Sequence, residues 1–378
     1  MIHIFIIFML IFFLIIIIQN IFFLEEEKEF KTFEENPFVS VIIPARNEEK
    51  NIKKCLEGIT KQNYKNIEII VIDDESKDKT PYIVQDYIKK DERIKLIRVD
   101  FLPEGWAGKN YACYKGFKIS KGEYLLFTDA DTVFINERTI EYAISKMREK
   151  NLSLLSLIPK IEAITFWEKI FMPLWSFAFI TFLPLKLLYF SKDRRISFAI
   201  GPFLMFDRNF YERIGGHESI KDEIVDDVYL ARITKENGGK IALLNGKDFI
   251  KVRFYENYNE MKKGTVKSAF GAFSYSYKYL FLFLIIGFII FFLPFINFLR
   301  AILISSPSLL KISFLEISLI YLLKFISDSY NSHDLKYTLL FPLSFLIGIY
   351  FCLLSVREAL IKEGYIWKER FYHLPKKY

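Results

Sequence analysis

Two aspartates close an apolar run in Leu125-Leu126-Phe127-Thr128-Asp129-Ala130-Asp131-Thr132. Like charges at that spacing repel, and removing them from water adds to the cost. A divalent cation relieves both penalties. Mg2+ takes one or two protein carboxylates and completes its shell with phosphate oxygens and water. Taken alone, the triplet is equally compatible with a turn that holds two solvated aspartates. A second pair, Asp226-Asp227, precedes Leu230 and Ile233 at helical spacing and Gly238-Gly239 as a stop. Acids also favour the first turn of a helix for purely local reasons, through the macrodipole.

The surrounding elements are arranged to bring such pairs together. Val39–Ile43 is a β-branched run ended by Pro44, and Ile52, Leu56 and Ile59 follow at helical spacing. Ile67–Ile72 predicts a second buried strand, after which Thr80-Pro81 reads as an N-cap with proline at the first helical position. Ile94–Val99 and Tyr124–Thr128 predict two more strands. Strands alternating with helices predict an α/β domain, over 38–278, with a mostly parallel central sheet. Ligands bind such sheets at the carboxyl ends of the strands. Those ends carry Pro44-Ala45-Arg46-Asn47-Glu48, Asp73-Asp74 and Asp129-Ala130-Asp131.

Apolar blocks flank this domain. Met1–Leu24 is apolar apart from His3, Gln19 and Asn20, long enough for a hydrocarbon core of roughly 30 Å. Without the basic start and cleavage site of a signal peptide, it reads as a retained transmembrane anchor, followed by a charged linker over 25–37. Tyr279–Leu299 and Tyr337–Leu354 read as spans, and Ile312–Phe325, which contains Glu316, as a third span or a re-entrant piece. The region 279–356 thus carries two C-terminal crossings, or three. Basic residues in the tail 357–378 place it in the cytoplasm. Ile164–Phe190 is apolar and aromatic but interrupted by Glu168, Lys169 and two prolines. A full crossing there would put Asp131 and Asp227 on opposite sides of the bilayer, so 164–190 reads as interfacial helices.

Composition excludes several classes. The net charge of +7 gathers beside apolar segments, which suits anionic lipid, and no nucleic-acid-binding signature occurs. Cys55, Cys113 and Cys352 are scattered, and His3, His217, His333 and His373 lack zinc-ligand spacing. Neither G-x-G-x-x-G after the first strand nor a P-loop is present, and the glycine spacing of Gly105-Trp106-Ala107-Gly108-Lys109 is wrong for a P-loop.

At four places in order the chain is similar to the family 2 glycosyltransferases. These are Val39-Ser40-Val41-Ile42-Ile43-Pro44-Ala45-Arg46-Asn47-Glu48-Glu49, Ile70-Val71-Ile72-Asp73-Asp74-Glu75-Ser76-Lys77-Asp78, Asp129-Ala130-Asp131, and Gly216-His217-Glu218 leading to Asp226-Asp227. Within that family it most resembles membrane-bound enzymes that glycosylate carotenoid acids, hopanoid-type lipids and similar apolar acceptors. Gly105-Trp106-Ala107-Gly108-Lys109-Asn110, Gly201-Pro202-Phe203-Leu204 and Trp367-Lys368-Glu369-Arg370-Phe371-Tyr372 carry that likeness, although Glu369 stands where such relatives more often have glycine.

The resemblance implies the nucleotide-sugar-binding fold called GT-A. It implies that Pro44, Ala45 and Glu48 line the donor loop and that Asp73 and Asp74 lie near base and ribose, where acceptor-only carboxylates suit a uracil N–H or hydroxyls. Lys109 would meet a phosphate as a point charge, or else be a solvated surface lysine. Asp131 would hold Mg2+ or Mn2+, with Asp129 helping on the metal or the ribose. Asp227 would be the catalytic base, with Asp226 beside it. His217, Glu218, Lys267, Trp367 and Arg370 are assigned to the acceptor or phosphate, although Lys262, Lys263 and Lys267 equally make a juxtamembrane basic patch. No Q-x-x-R-W run occurs, which disfavours synthesis of long polymers.

The expectation is an inverting, metal-dependent transferase that moves one sugar from a nucleotide-sugar, a UDP-hexose, to a membrane lipid-like acceptor. Its partners are that donor, that acceptor and the bilayer, with no nucleic acid. It would be a multi-pass plasma-membrane protein with the catalytic domain in the cytoplasm. The alternatives are a polyprenyl-phosphate or polysaccharide-precursor glycosyltransferase, and a silent membrane scaffold with a degenerate domain.

Overall fold

A computed structural model of the chain describes residues 1–31, 35–362, 364–367 and 370–373. It forms two compact units, one of Met1–Phe23, Ala163–Pro184 and Tyr255–Tyr365, the other of Leu24–Glu162, Leu185–Phe254 and Ile366–Tyr378. Asp131 and Asp227 both belong to the second.

The second unit is built on β1 (Val39–Ala45), β2 (Ile67–Asp74), β3 (Ile94–Val99), β4 (Tyr124–Phe127), β5 (Thr132–Phe134), β6 (Leu154–Ile161), β7 (Leu204–Asp207) and β8 (Ile241–Val252). They form one sheet in the order β3-β2-β1-β4-β7-β6-β8-β5. β3, β2, β1 and β4 are parallel, as the sequence predicts. β7 then runs antiparallel to both neighbours, β6 and β8 pair in parallel, and β5 is antiparallel to β8. The sheet is therefore mixed, and the expectation of a mostly parallel sheet holds for its first half. β2 is buried along its whole length, which explains its unbroken apolar run, since a parallel strand is covered on both faces.

The helix Gly108–Ile119 packs on this half of the sheet through its small residues. Ala112 joins Ile70, Ile72 and Val99 in one cluster. A Cβ on Gly116 would fall 2.4 Å from Ile42 Cγ2, so only glycine allows the approach. That packing fixes the helix whose first turn carries Lys109. The helix Asp226–Glu236 begins where the carboxylate pair suggests, and Gly238, at φ +74°, follows its C-cap. Thr80 is not an N-cap, because Lys79 holds that position. The Thr80 hydroxyl instead accepts the Glu48 N–H (2.8 Å) and donates to Asp78 (2.5 Å), bracing two loops at the strand ends.

The first unit is helical: Ile2–Glu26, Phe166–Phe171, Pro173–Phe182, Tyr258–Ala272, Tyr277–Phe291, Leu293–Leu303, Pro307–Tyr330 and Phe341–Lys362. Among the described residues, Ile2–Glu26 and Leu335–Ile361 are long and apolar enough to cross a membrane. Tyr258–Ala272 with Tyr277–Phe291, bent by 111°, makes a third if the pair is one span. The expected span Tyr279–Leu299 is broken at Phe292, where Pro294 opens a new helix. Pro307–Tyr330 carries Lys311, Glu316, Lys324 and Asp328 and is not among the candidate spans. Asn20 donates to the carbonyls of Ile180 (2.9 Å) and Leu183 (2.7 Å), satisfying the end of the helix Pro173–Phe182.

Two expected boundaries change. The block 164–190 is three short helices broken at its prolines, of which Leu185–Phe190 belongs to the sheet unit and the rest to the helical unit. The stretch 255–278 also belongs to the helical unit and not to the α/β domain.

Candidate active site

The aspartate triplet forms the short turn between β4 and β5, and the threonines on either side of it anchor a second loop. Thr128 Oγ1 donates to the Pro202 carbonyl (2.8 Å), and Thr132 Oγ1 reaches the same oxygen (3.4 Å). This holds Gly201, whose N–H donates to Asp227 Oδ2 (2.8 Å). A Cβ added to Gly201 would lie 3.2 Å from Asp129 Oδ2, 3.2 Å from Lys109 Nζ and 3.4 Å from Asp227 Oδ2. Three of the predicted side chains therefore surround one small space that a methyl group would fill.

Lys109 joins the two acidic motifs. Its Nζ lies 2.8 Å from Asp129 Oδ1 and 3.2 Å from Asp226 Oδ2. The lysine is held on carboxylates rather than free in solvent. Its neighbour Asn110, almost fully buried, donates to the carbonyls of Ile220 (2.7 Å) and Glu223 (2.9 Å), and Ala107 N–H donates to Lys221 (2.6 Å). The start of this helix thus clamps the loop that leads into Asp226.

The carboxylate pair is split electrostatically. Burial and the adjacent Asp226 push Asp227 up to about 6, against the pull of Lys109 and two N–H donors. Burial works on Asp226 in the same direction, but Lys109 and His217 outweigh it and hold that carboxyl below the usual range. Such divergence is what a carboxylate suited to accept a proton near neutral pH, beside one that stays ionised, would need. Behind Asp226, the His217 N–H donates to the Tyr211 hydroxyl (3.0 Å), which lies 2.6 Å from His217 Nδ1. The hydroxyl proton is then assigned to Nδ1, and a neutral ring keeps its own proton on Nε2, 3.9 Å from Asp226 Oδ2.

At the other end, Pro44 and Ala45 finish β1 in register with Ile72 and Asp73. Glu48 accepts from the Asn51 side chain (2.9 Å). Asp73 is fully buried, with Oδ1 accepting the Ser76 N–H and Oδ2 paired with Arg98 (3.1 Å), so it braces its own loop. Asp74 Oδ2 pairs with Arg370, while Asp74 Oδ1 is buried without a hydrogen-bond partner among the described residues.

The residues that the sequence assigns to the acceptor or phosphate each have their own setting. His217 is buried against Phe127 (ring centroids 4.7 Å apart), where it supports Asp226 and is closed to an acceptor. Glu218 is exposed in the turn Gly216–Glu218. Lys267 lies in the helix Tyr258–Ala272 of the helical unit. Trp367 ends a short strand, but its side chain lies outside the described residues. Arg370 pairs with Asp74 and Glu75. Gly201, Asn110 and Tyr211 touch the candidate residues or the loop that leads into them without an assigned role from the sequence. The first two sit in quoted motifs, and Tyr211 gives no sequence signal.

Among the described residues no three or more His, Cys, Asp or Glu side chains form a ready-made metal shell. The donor set of Asp129 and Asp131 fits a hard cation that brings most of its own ligands, as Mg2+ and Mn2+ do with phosphate and water. Lys109 engages Asp129 through Oδ1.

The model of the family described as Glycosyl transferase family 2 matches residues 40–215. The 4,4'-diaponeurosporenoate glycosyltransferase of Staphylococcus haemolyticus (strain JCSC1435) is 29% identical over 237 residues, 61% of this chain and 60% of that protein. The protein of the same name from Staphylococcus aureus (strain USA300) is 27% identical over 232 residues, with the same shares. The chain thus spans about three fifths of the length of these relatives. Among solved structures, the mannosyltransferase PcManGT from Pyrobaculum calidifontis, in complex with GDP-Man and Mn2+, superposes with a TM-score of 0.53 at 14% identity. That match covers 96% of this chain and all of the other, and it shows the GT-A fold. Over Ser40 to Gly215 the chain is thus similar to the glycosyl transferase family 2 domains.

Proposed function

We propose that the chain transfers one sugar from a nucleotide-sugar, a UDP-hexose, to a lipid-like acceptor at the cytoplasmic face of a membrane, with inversion at the anomeric carbon. The observation that carries this reading is the convergence of Asp129, Lys109 and Asp227 on the space beside Gly201, at the ligand-binding ends of the strands. Asp227, held by the Gly201 N–H and poised near neutrality, takes the proton of the acceptor hydroxyl or carboxyl. The acceptor oxygen bonds to the anomeric carbon as the bond from that carbon to the diphosphate oxygen breaks, and the nucleoside diphosphate leaves with the electron pair. Lys109 lies where it can meet a diphosphate oxygen once Asp129 is otherwise engaged. Asp131 and Asp129 would hold Mg2+ or Mn2+, whose charge offsets that developing on the leaving group.

An apolar acceptor is supported by the name of the carotenoid-acid relatives and by the helices Ile2–Glu26 and Leu335–Ile361. The test is nucleoside diphosphate release by detergent-solubilised protein with Mn2+ and UDP-hexoses, beside mass spectrometry of lipid extracts from cells with and without the gene. Metal-dependent release and a missing glycolipid support the transferase. No turnover with any donor would remove it.

A further inference from the structure

We propose that Arg370, from the C-terminal tail, is a positioning residue of the donor-nucleoside pocket: it holds Asp74 by one carboxylate oxygen so that the other faces the ribose or base of a nucleoside diphosphate. This rests on the nucleotide-sugar reading above. The run Asp73-Asp74-Glu75 puts three acids in a row at the end of β2. Asp73 is matched by Arg98, Glu75 by Arg46 and Arg370, and Asp74 by Arg370, which lies 296 residues away in sequence. One guanidinium thus spans two neighbouring carboxylates, a geometry that its planar fork provides and an ammonium does not.

Three further observations make this a built site rather than a surface ion pair. Asp74 is only 4% exposed, and its Oδ1 lacks a hydrogen-bond partner among the described residues, so the pairing consumes Oδ2 alone. A buried acceptor left in that state is poised for a ligand donor. A Cβ on Gly108 would fall 2.2 Å from Arg370 Nη1 and 2.6 Å from Asp74 Oδ2, so glycine makes room for this pair. Gly108 directly precedes Lys109, which ties the pair to the helix turn that serves the carboxylate hub. Glu75 is held at φ +55°, a left-handed conformation costly for a side-chain-bearing residue, between the two arginines. Arg370 also holds the Glu75 carboxyl below its ordinary range.

Calorimetric titration of the full chain in detergent with Mn2+ tests this, using UDP, GDP and inorganic pyrophosphate as ligands. Arg370→Ala should weaken the nucleoside diphosphate that the wild type binds by at least tenfold and leave pyrophosphate binding within twofold. Arg370→Lys, which keeps charge but not the fork, should show an intermediate loss with the same selectivity, and it decides the matter if Arg370→Ala does not fold. Equal nucleotide affinity in wild type and variants overturns this role for Arg370 and leaves the donor reading standing. Parallel loss of pyrophosphate and nucleotide also overturns it, since Arg370 would then serve the phosphates. A wild type that binds neither nucleotide overturns both readings.

Discussion

Gly201→Ala is the sharpest probe of where the chemistry passes. Gly201 does not need a left-handed backbone, so alanine adds no conformational strain. The new methyl meets only side-chain ends, at 3.2 Å from Asp129 Oδ2 and Lys109 Nζ and 3.4 Å from Asp227 Oδ2. Ordinary contact starts at 3.4 Å, so the neighbours need yield only a few tenths of an ångström. Stability should therefore change by no more than about 1 kcal/mol. On the proposed reaction activity should respond far more, because the methyl occupies the gap between Asp129 and Asp227 and loosens the 2.8 Å bond that holds Asp227. Displacing reacting groups by on the order of 1 Å costs about 10²-fold, or about 2.7 kcal/mol of barrier. The assay pairs a thermal melt with steady-state release of nucleoside diphosphate in the presence of acceptor. An unchanged melt with kcat/KM within threefold of wild type would refute the assignment of this space to the reaction.

Asp227 rises to about 6, so kcat/KM should climb with pH through about 6 and then level off. A pH-independent rate from 5 to 8 would count against Asp227 as the base. Because its folded value lies above the ordinary carboxylate value of 3.8, ionised Asp227 lowers stability as pH rises through that window and has no effect below it. Asp227→Asn should accordingly raise Tm at about pH 8 but not at about pH 4, and equal gains at both would contradict the linkage. Asp131→Ala should abolish Mn2+-stimulated turnover, a loss on the order of 10²- to 10³-fold, read from a metal titration of diphosphate release. Asn110→Ala leaves two buried main-chain acceptors without their donor and should cost about 2–4 kcal/mol, visible as a lower Tm.

The parts of the fold that sequence reveals are those with a period or a continuous apolar run. β1 and β2 stand out because both faces of a parallel strand are covered, and Asp226–Glu236 stands out because an acidic first turn and a glycine stop bracket it. β7 is four residues long, too short to carry any period, and with it the antiparallel turn of the sheet stays hidden. The break in Tyr279–Leu299 is signalled by Pro294, but hydrophobicity alone does not distinguish one span from two shorter helices. At the site, residue type points to the acids and to Lys109, whereas their partners come from far along the chain. Gly201 meets Asp227 across 26 residues, and Asn110 meets Glu223 across 113. A histidine beside a catalytic motif suggests surface chemistry, and only its burial behind Asp226 shows a supporting place.

Charge balance explains why this arrangement suits an anionic donor accompanied by a cation. Asp129, Asp226 and Asp227 share the single ammonium of Lys109, and Asp131 follows two residues after Asp129. One positive charge cannot offset three carboxylates, and the one that its surroundings and the adjacent Asp226 raise is Asp227. Asp226 stays an anion because both Lys109 and His217 face it. A diphosphate arriving alone would meet net negative charge and be repelled. On the proposed reaction, a divalent ion arriving with it would offset the charge of Asp129 and Asp131 and leave Lys109 able to turn to the phosphates. The lysine that links Asp129 to Asp226 is thus, on that proposal, the group placed to respond to the arriving ion.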